Sequence, residues 1–323
     1  MNAIFDTWPQ PLLYLGVLLA VVLLDVFLTI PEKAHPLTFF RVIAERLTAK
    51  VFPDPSRPAF QQKIAGALAI LVATVPWVIM IFLSVQFTEY PWFFEGLILW
   101  LCLGLKPCWS DIKKAELALR KEQKILARDR LNDWVLRRTD NLSAIGIAKA
   151  CCEALLLRNL YFYQTLILCF ILFGAYWTLA LRLLLELHLV ANGKTTRFRY
   201  FAKAIDSTCH ILLYIPCKIN ALTLTIKGGL IKGVAIAFSA SKSWPYTNSL
   251  WYLSIAAQAI NTRLGGPIYY GQVKTQRPHL GEHNPQPNWQ TIRHCRFLVI
   301  AANSLMLLII VVTSLFLSLI VKN

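Results

Sequence analysis

Between Ile64 and Phe87 the chain runs for 24 residues without one charged side chain. A helix of that length rises about 36 Å, more than the roughly 30 Å of hydrocarbon in a bilayer. Its Pro76 is tolerated in a membrane helix, where neighbours re-satisfy the freed backbone groups. Pro11–Ile30 holds only Asp25, and Phe297–Val321 holds no charge. Leu160–Leu189 confines Arg182, Glu186 and His188 to its last third, so its end is expected to face protein or water. Trp92–Leu105 carries Glu95 and is expected to span only when paired with a neighbour.

The chain is 56% hydrophobic with a mean hydropathy of +0.52, more apolar than a water-soluble domain. The fold expected is all-α: a polytopic membrane helix bundle of about four to five transmembrane helices with long basic, amphipathic-helical loops. A single membrane domain covers 1–323, with spans near 11–30, 64–87, 92–105, 160–182 and 297–321 and soluble loops 31–63, 106–158 and 189–296. The first run lacks a basic leader and a small-residue cleavage site before Pro31, so it is expected to stay as an anchor. The eight cysteines form no CxxC pair and several lie in apolar runs, so reduced, structural thiols are expected. A bacterial inner membrane is the expected location.

The formal charge of +16 lies in the loops. Residues 31–63 carry six basic and three acidic groups, 106–158 twelve and seven, and 189–296 thirteen and two. The positive-inside rule then places 31–63 and 106–158 inside and the amino terminus and the Glu89 turn outside. Simple alternation puts the basic 189–296 stretch outside, against the rule. Two resolutions stay open: the third long run is re-entrant, or the apolar stretch Ile211–Ala240, interrupted by Lys218, Lys227 and Lys232, enters the membrane. Aromatics are not interleaved with the basic residues in a platform-like way, so nucleic acid is not an expected partner. Membrane lipid and an anionic or phosphate-bearing small molecule are. The oligomeric state is not readable.

Residues 111–138 show apolar positions at helical spacing and predict an amphipathic helix packed under the bundle. Pro267–Pro287 predicts a loop by its Gly, Pro, His and Asn content. His279, His283 and His294 are the one metal-like group within reach of it, but proline and glycine break the helix that would align them, so a surface loop is expected and no metal.

Arg263–Gly271 reads RLGGPIYYG and is followed by Arg277, Pro278, Leu280 and Gly281. This resembles the RLGGPxYYG…RPxLG signature of adenosylcobinamide-phosphate synthases, the CobD/CbiB family of cobalamin biosynthesis. His35-Pro36-Leu37, Ala65–Leu68 and Ala127-Arg128 with Arg137 and Thr139 resemble further elements of that family in order and spacing. The resemblance implies amide formation between adenosylcobyric acid and aminopropanol or its phosphate, with Mg²⁺ a possible cofactor. Arg263, Gly265, Gly266, Lys274 and Arg277 would form an anion-binding loop, with Asn248, Arg137, Thr139 and His35 lining the same site. No catalytic residue is singled out.

Several family acids are replaced. Arg137-Arg138-Thr139 stands for Arg-Asp-Thr, Leu157-Arg158 follows the retained Glu153, Leu185–His188 stands for Asn-Thr-Leu-Asp, and Cys209-His210 stands for paired aspartates. Ala204–Asp206 with His210, Leu212 and Pro216, and Asn159–Tyr163, resemble AmpE, a membrane relative linked to β-lactamase regulation. A non-catalytic, AmpE-like sensor or regulator is therefore the alternative, a possible pseudoenzyme.

Overall fold

The computed structural model describes residues 10–28, 30, 35–52, 57–191, 200–227, 229–241, 244, 247–270, 273–281 and 283–322. The described helices are α1 (Gln10–Phe27), α2 (Pro36–Val51), α3 (Ala59–Gln86), α4 (Pro91–Cys102), α5 (Lys106–Arg120), α6 (Lys124–Asn132), α7 (Ala144–Asn159), α8 (Thr165–Phe173), α9 (Ala175–Val190), α10 (Phe201–Thr223), α11 (Leu230–Ala240), α12 (Thr247–Ala259) and α13 (Trp289–Lys322). Four short strands, β1 (Leu264–Gly265), β2 (Ile268–Tyr270), β3 (Val273–Thr275) and β4 (His279–Leu280), lie between α12 and α13. Among the described residues, Ala59–Gln86, Pro91–Arg120, Ala144–Phe173, Phe201–Lys227 and Trp289–Ile320 are long and apolar enough to cross a membrane. The protein is an all-α integral membrane protein.

The chain divides into two compact units. Unit 1 is residues 1–103, 166–211 and 307–323. At its centre α9 packs against α2, α3 and α4, and α1 packs against α4. Gly96 lets α4 approach α1 closely, because a Cβ there would meet Val17 Cγ1 at 2.8 Å. One face of α3, including Leu68, Leu71, Val75 and Ile79, is exposed apolar surface suited to lipid. Ion pairs satisfy the buried charges at the end of the third apolar run. Glu186, fully buried, is held by Arg182 Nη2 at 2.8 Å and Arg41 Nε at 3.1 Å, while His188 faces Asp206 at 3.0 Å. Glu186 and His188, two positions apart on α9, thus have separate partners.

Unit 2 is residues 104–165 and 212–306. Its core gathers Ile112 and Leu119 of α5, Leu131 of α6, Ile147, Leu155 and Leu156 of α7, and Leu250, Tyr252 and Leu253 of α12. Between α7 and α8, Leu160–Gln164 forms a π-turn. The wider turn frees the Phe162 carbonyl, which accepts the Gly104 N–H at 3.0 Å, and Arg158 Nε donates to the Gly104 carbonyl at 3.0 Å.

Three expectations are corrected. The predicted helix over 111–138 is two helices, because Glu122 adopts φ +60° and the Gln123 N–H turns back to the Ala118 carbonyl, capping α5 before α6 begins. The run 160–189 is broken at Gly174, whose φ of +84° ends α8 and starts α9. The predicted loop over 267–287 contains antiparallel pairing, with Ile268 opposite Thr275 and Leu264 opposite Leu280. All eight cysteines are free.

Candidate functional site

Glu153 is the only acidic residue between Asp140 and Glu186, and the fold buries it on α7 in unit 2. A carboxylate taken from water needs charged or hydrogen-bonding partners, and this one has both. Its Oε2 accepts from Arg137 Nη2 at 3.0 Å and from Arg277 Nη2 at 3.4 Å. Its Oε1 accepts the backbone N–H of Gly265 at 2.9 Å. The three side chains are each less than a tenth exposed.

The Gly-Gly segment folds as it does because no other residue fits. Gly265 and Gly266 have φ +72° and +84°, in the left-handed region. A Cβ on Gly265 would lie 2.6 Å from the Pro278 carbonyl oxygen, and one on Gly266 would run into the His279 ring. The Gly266 N–H donates to the Pro278 carbonyl at 2.9 Å, and Arg277 Nε donates to the Gly266 carbonyl at 3.2 Å. The remaining carbonyl, that of Gly265, accepts from Lys149 Nζ at 3.0 Å. Arg277 also lies over the buried Trp244 ring, 4.8 Å from its centroid. Downstream, Asn284 Nδ2 donates to the Ala257 and Thr262 carbonyls at 3.3 and 3.4 Å and ties the loop to the end of α12.

Arg137, Arg277 and Lys149 thus surround a single carboxylate, and Arg263 lies within electrostatic reach of Lys149. Positive charge exceeds negative, so the cluster favours an added anion by charge-assisted hydrogen bonding. Nearby, burial pushes the Tyr270 phenol above its ordinary range, against the opposing effect of Arg277. A hard divalent cation wants several oxygen ligands. Here the one carboxylate is already engaged by two arginines and an amide, and no group of three metal-ligating side chains occurs among the described residues. The donor set does not fit Mg²⁺.

Of the residues singled out in the sequence, the fold gathers Arg137, Gly265, Gly266 and Arg277 on Glu153. Arg263 enters the loop with its N–H on the Pro285 carbonyl at 3.0 Å. Lys274 pairs with Tyr269 in the β2–β3 register, and its side chain lies outside the described residues. Thr139 donates to Asn132 Oδ1 at 3.2 Å, two positions from Arg137. Asn248 is buried near the start of α12. His35 belongs to unit 1, where it caps α2 by accepting the Leu37 N–H on Nδ1 at 3.2 Å. Burial lowers its pKa, the Arg182 charge adds to that effect, and Glu186 opposes it.

Two members of the cluster, Lys149 and Glu153, were not among the expected site residues. Their signal was present: a lone carboxylate in an apolar stretch, with a lysine one helical turn before it. Deeper in unit 2 lies a connected polar chain that no motif announced. Asn303 Nδ2 donates to Asn159 Oδ1, Asn159 Nδ2 to Tyr252 OH, Tyr252 OH to Gln164 Oε1, and Gln164 Nε2 to Thr223 Oγ1, at 2.8–3.0 Å.

The family described as CobD/Cbib protein matches residues 17–299. A cobalamin biosynthesis protein CobD of Stutzerimonas stutzeri is 27% identical over 293 residues, 90% of this chain and 95% of its own. The protein of the same name from Chromobacterium violaceum is 26% identical over 273 residues, 84% of this chain and 87% of its own. One from Leptospira interrogans is 27% identical over 310 residues, 91% of this chain and 94% of its own. No solved structure matches. With the match covering most of its length, the chain belongs to the CobD/CbiB family of cobalamin biosynthesis proteins.

Proposed function

We propose that the protein forms the amide between a carboxylate of adenosylcobyric acid and aminopropanol or its phosphate, at the Glu153 cluster of unit 2 and in a bacterial inner membrane. One observation carries this reading: a buried carboxylate fixes two arginines and a glycine amide, leaving a local excess of positive charge beside Lys149. The corrinoid carboxylate and aminopropanol phosphate are both anionic, and the excess charge provides for holding one of them. Arg277 would orient an oxyanion; its guanidinium is held by Trp244, Gly266 and Glu153. Lys149, whose Nζ is held by the Gly265 carbonyl, lies in the same cluster and would share that anion. The amine must lose a proton, and the carboxylate oxygen leaves with the phosphate of a nucleoside triphosphate that has activated it.

The relatives named for cobalamin biosynthesis do not favour the alternative of a non-catalytic, AmpE-like regulator. The test is a direct assay. Purified protein in detergent is incubated with adenosylcobyric acid, aminopropanol phosphate, a divalent cation and, in one arm, a nucleoside triphosphate to activate the carboxylate. Corrinoid products are resolved by mass spectrometry. A new amide that disappears in Arg277→Ala and in Arg263→Ala supports the reading. No product from folded protein, beside an active family member, overturns it.

A further inference from the structure

Helices α11 and α12 run antiparallel, and three contacts set their register. A Cβ on Gly229, just before α11, would meet Gln258 Cβ at 2.9 Å and Ala259 N at 3.1 Å, both at the end of α12. One turn on, a Cβ on Gly233 would meet Ile255 Cα at 2.7 Å, and further on Phe238 stacks edge-to-face on Trp251 with centroids 5.0 Å apart. The start of α11 and the end of α12 therefore lie together. At 11 and 13 residues the helices rise only about 16 and 20 Å, short of the roughly 30 Å needed to cross.

Outside the Gly229 and Gly233 contacts, the surface of α11 is apolar and open, and even Phe238, with one edge on Trp251, is mostly uncovered. Ile231 is 85% exposed and Phe238 64%, and on the second half of α10 Ile215 and Leu222 are 65% and 55% exposed. Surface of this kind is costly in water and comfortable against acyl chains. The flanks of the α10–α11 turn carry Lys227 and Lys232, both exposed and without an ionic partner among the described residues. From Ser207 to Gly281 the sequence holds no Asp or Glu at all, so this surface offers nothing but positive charge.

We propose that α11–α12 is a re-entrant helical hairpin, embedded in one leaflet and returning to the side it entered from, with Lys227 and Lys232 seated on the anionic phospholipid headgroups of that leaflet. Length rules out a crossing, the exposed apolar face specifies hydrocarbon as the contact, and the all-cationic open end specifies anionic headgroups. Gly229 and Gly233 supply the close backbone approach that lets so short a hairpin hold together. Lys218, at the other end, donates to Tyr214 OH at 2.6 Å and lies over the Tyr214 ring at 4.0 Å, which leaves it shielded.

The full-length protein in nanodiscs tests this. A photoreactive benzoylphenylalanine at Phe238 and at Ile231 is expected to give adducts with phospholipid. Adducts with a second copy of the protein, or with neither, would overturn the hairpin's exposure to lipid. In oriented vesicles, Lys227→Cys and Asn261→Cys are expected to react with an impermeant maleimide from the same side; wild type is the background, since its cysteines are buried apart from half-buried Cys169. Reaction from opposite sides would overturn the re-entrant path. In phosphatidylcholine nanodiscs with and without phosphatidylglycerol, native mass spectrometry is expected to show preferential retention of phosphatidylglycerol. Lys227→Gln and Lys232→Gln should each weaken that preference about fivefold. An unchanged preference in the double variant would sink the headgroup contact.

Discussion

Glu153 and Gly265, 112 residues apart in sequence, are joined by a 2.9 Å hydrogen bond from the glycine amide to the carboxylate. That bond fastens the Gly-Gly loop to α7 and places Arg277 where Arg137 already is. Removing the carboxylate leaves two buried guanidinium groups without their counter-ion. Glu153→Ala is therefore expected to destabilise by about 3–5 kcal/mol, read as a lowered unfolding midpoint at fixed detergent concentration. Glu153→Gln keeps an acceptor for the Gly265 N–H and should lose less. Equal losses in the two variants would show that the charge, rather than the amide contact, is what Glu153 supplies.

The loop glycines should be intolerant of a single methyl group. Left-handed backbone costs a non-glycine residue about 1–2 kcal/mol, and at Gly265 the added carbon also meets the Pro278 carbonyl, Leu280 and Trp244. Gly265→Ala and Gly266→Ala are expected to abolish product formation in the amide assay and lower thermal stability. Gly16 is the control: it lies in α1 with nothing within 4 Å of its would-be Cβ. Gly16→Ala should be neutral or gain about 0.4–1 kcal/mol.

Tyr252 is fully buried at the centre of the polar chain, receiving from Asn159 and donating to Gln164. Tyr252→Phe keeps the ring and deletes both bonds, leaving buried amide groups unsatisfied at a cost of about 1–3 kcal/mol. Because Gln164 also reaches Thr223, Tyr252→Phe and Gln164→Leu should be non-additive in unfolding measurements. Additive losses would mean that the chain is a set of independent pairs.

The apolar runs made the membrane class legible, since 24 uncharged residues admit few other solutions. The RLGGP segment stood out through its resemblance to a family signature, and its Gly-Gly pair already marked a turn in left-handed backbone. Glu153 stood out as a lone carboxylate, but its role did not, because its partners come from positions 137, 265 and 277 and one sequence shows no such long-range pairing. The break at Glu122 was hidden for a different reason. A helix end set by one left-handed non-glycine residue leaves the amphipathic pattern on either side undisturbed. The chain from Asn303 to Thr223 escaped notice because isolated Asn, Gln and Tyr residues in apolar stretches look alike whether or not they meet.

His35 gives a pH prediction in unit 1. Its neutral ring accepts the Leu37 N–H, a role the imidazolium cannot fill, and burial beside Arg182 lowers its pKa below the ordinary value of about 6.5. The folded state therefore binds fewer protons than the unfolded state in this range. The stability that His35 contributes is complete above about pH 6.5 and is lost as pH falls through the folded-state value. His35→Asn retains a capping acceptor but cannot titrate. Between pH 8 and 5 the unfolding midpoint of the wild type should fall more steeply than that of His35→Asn, with the two curves parallel above about pH 7. Curves that stay parallel throughout would show that the cap at α2 is not under proton control.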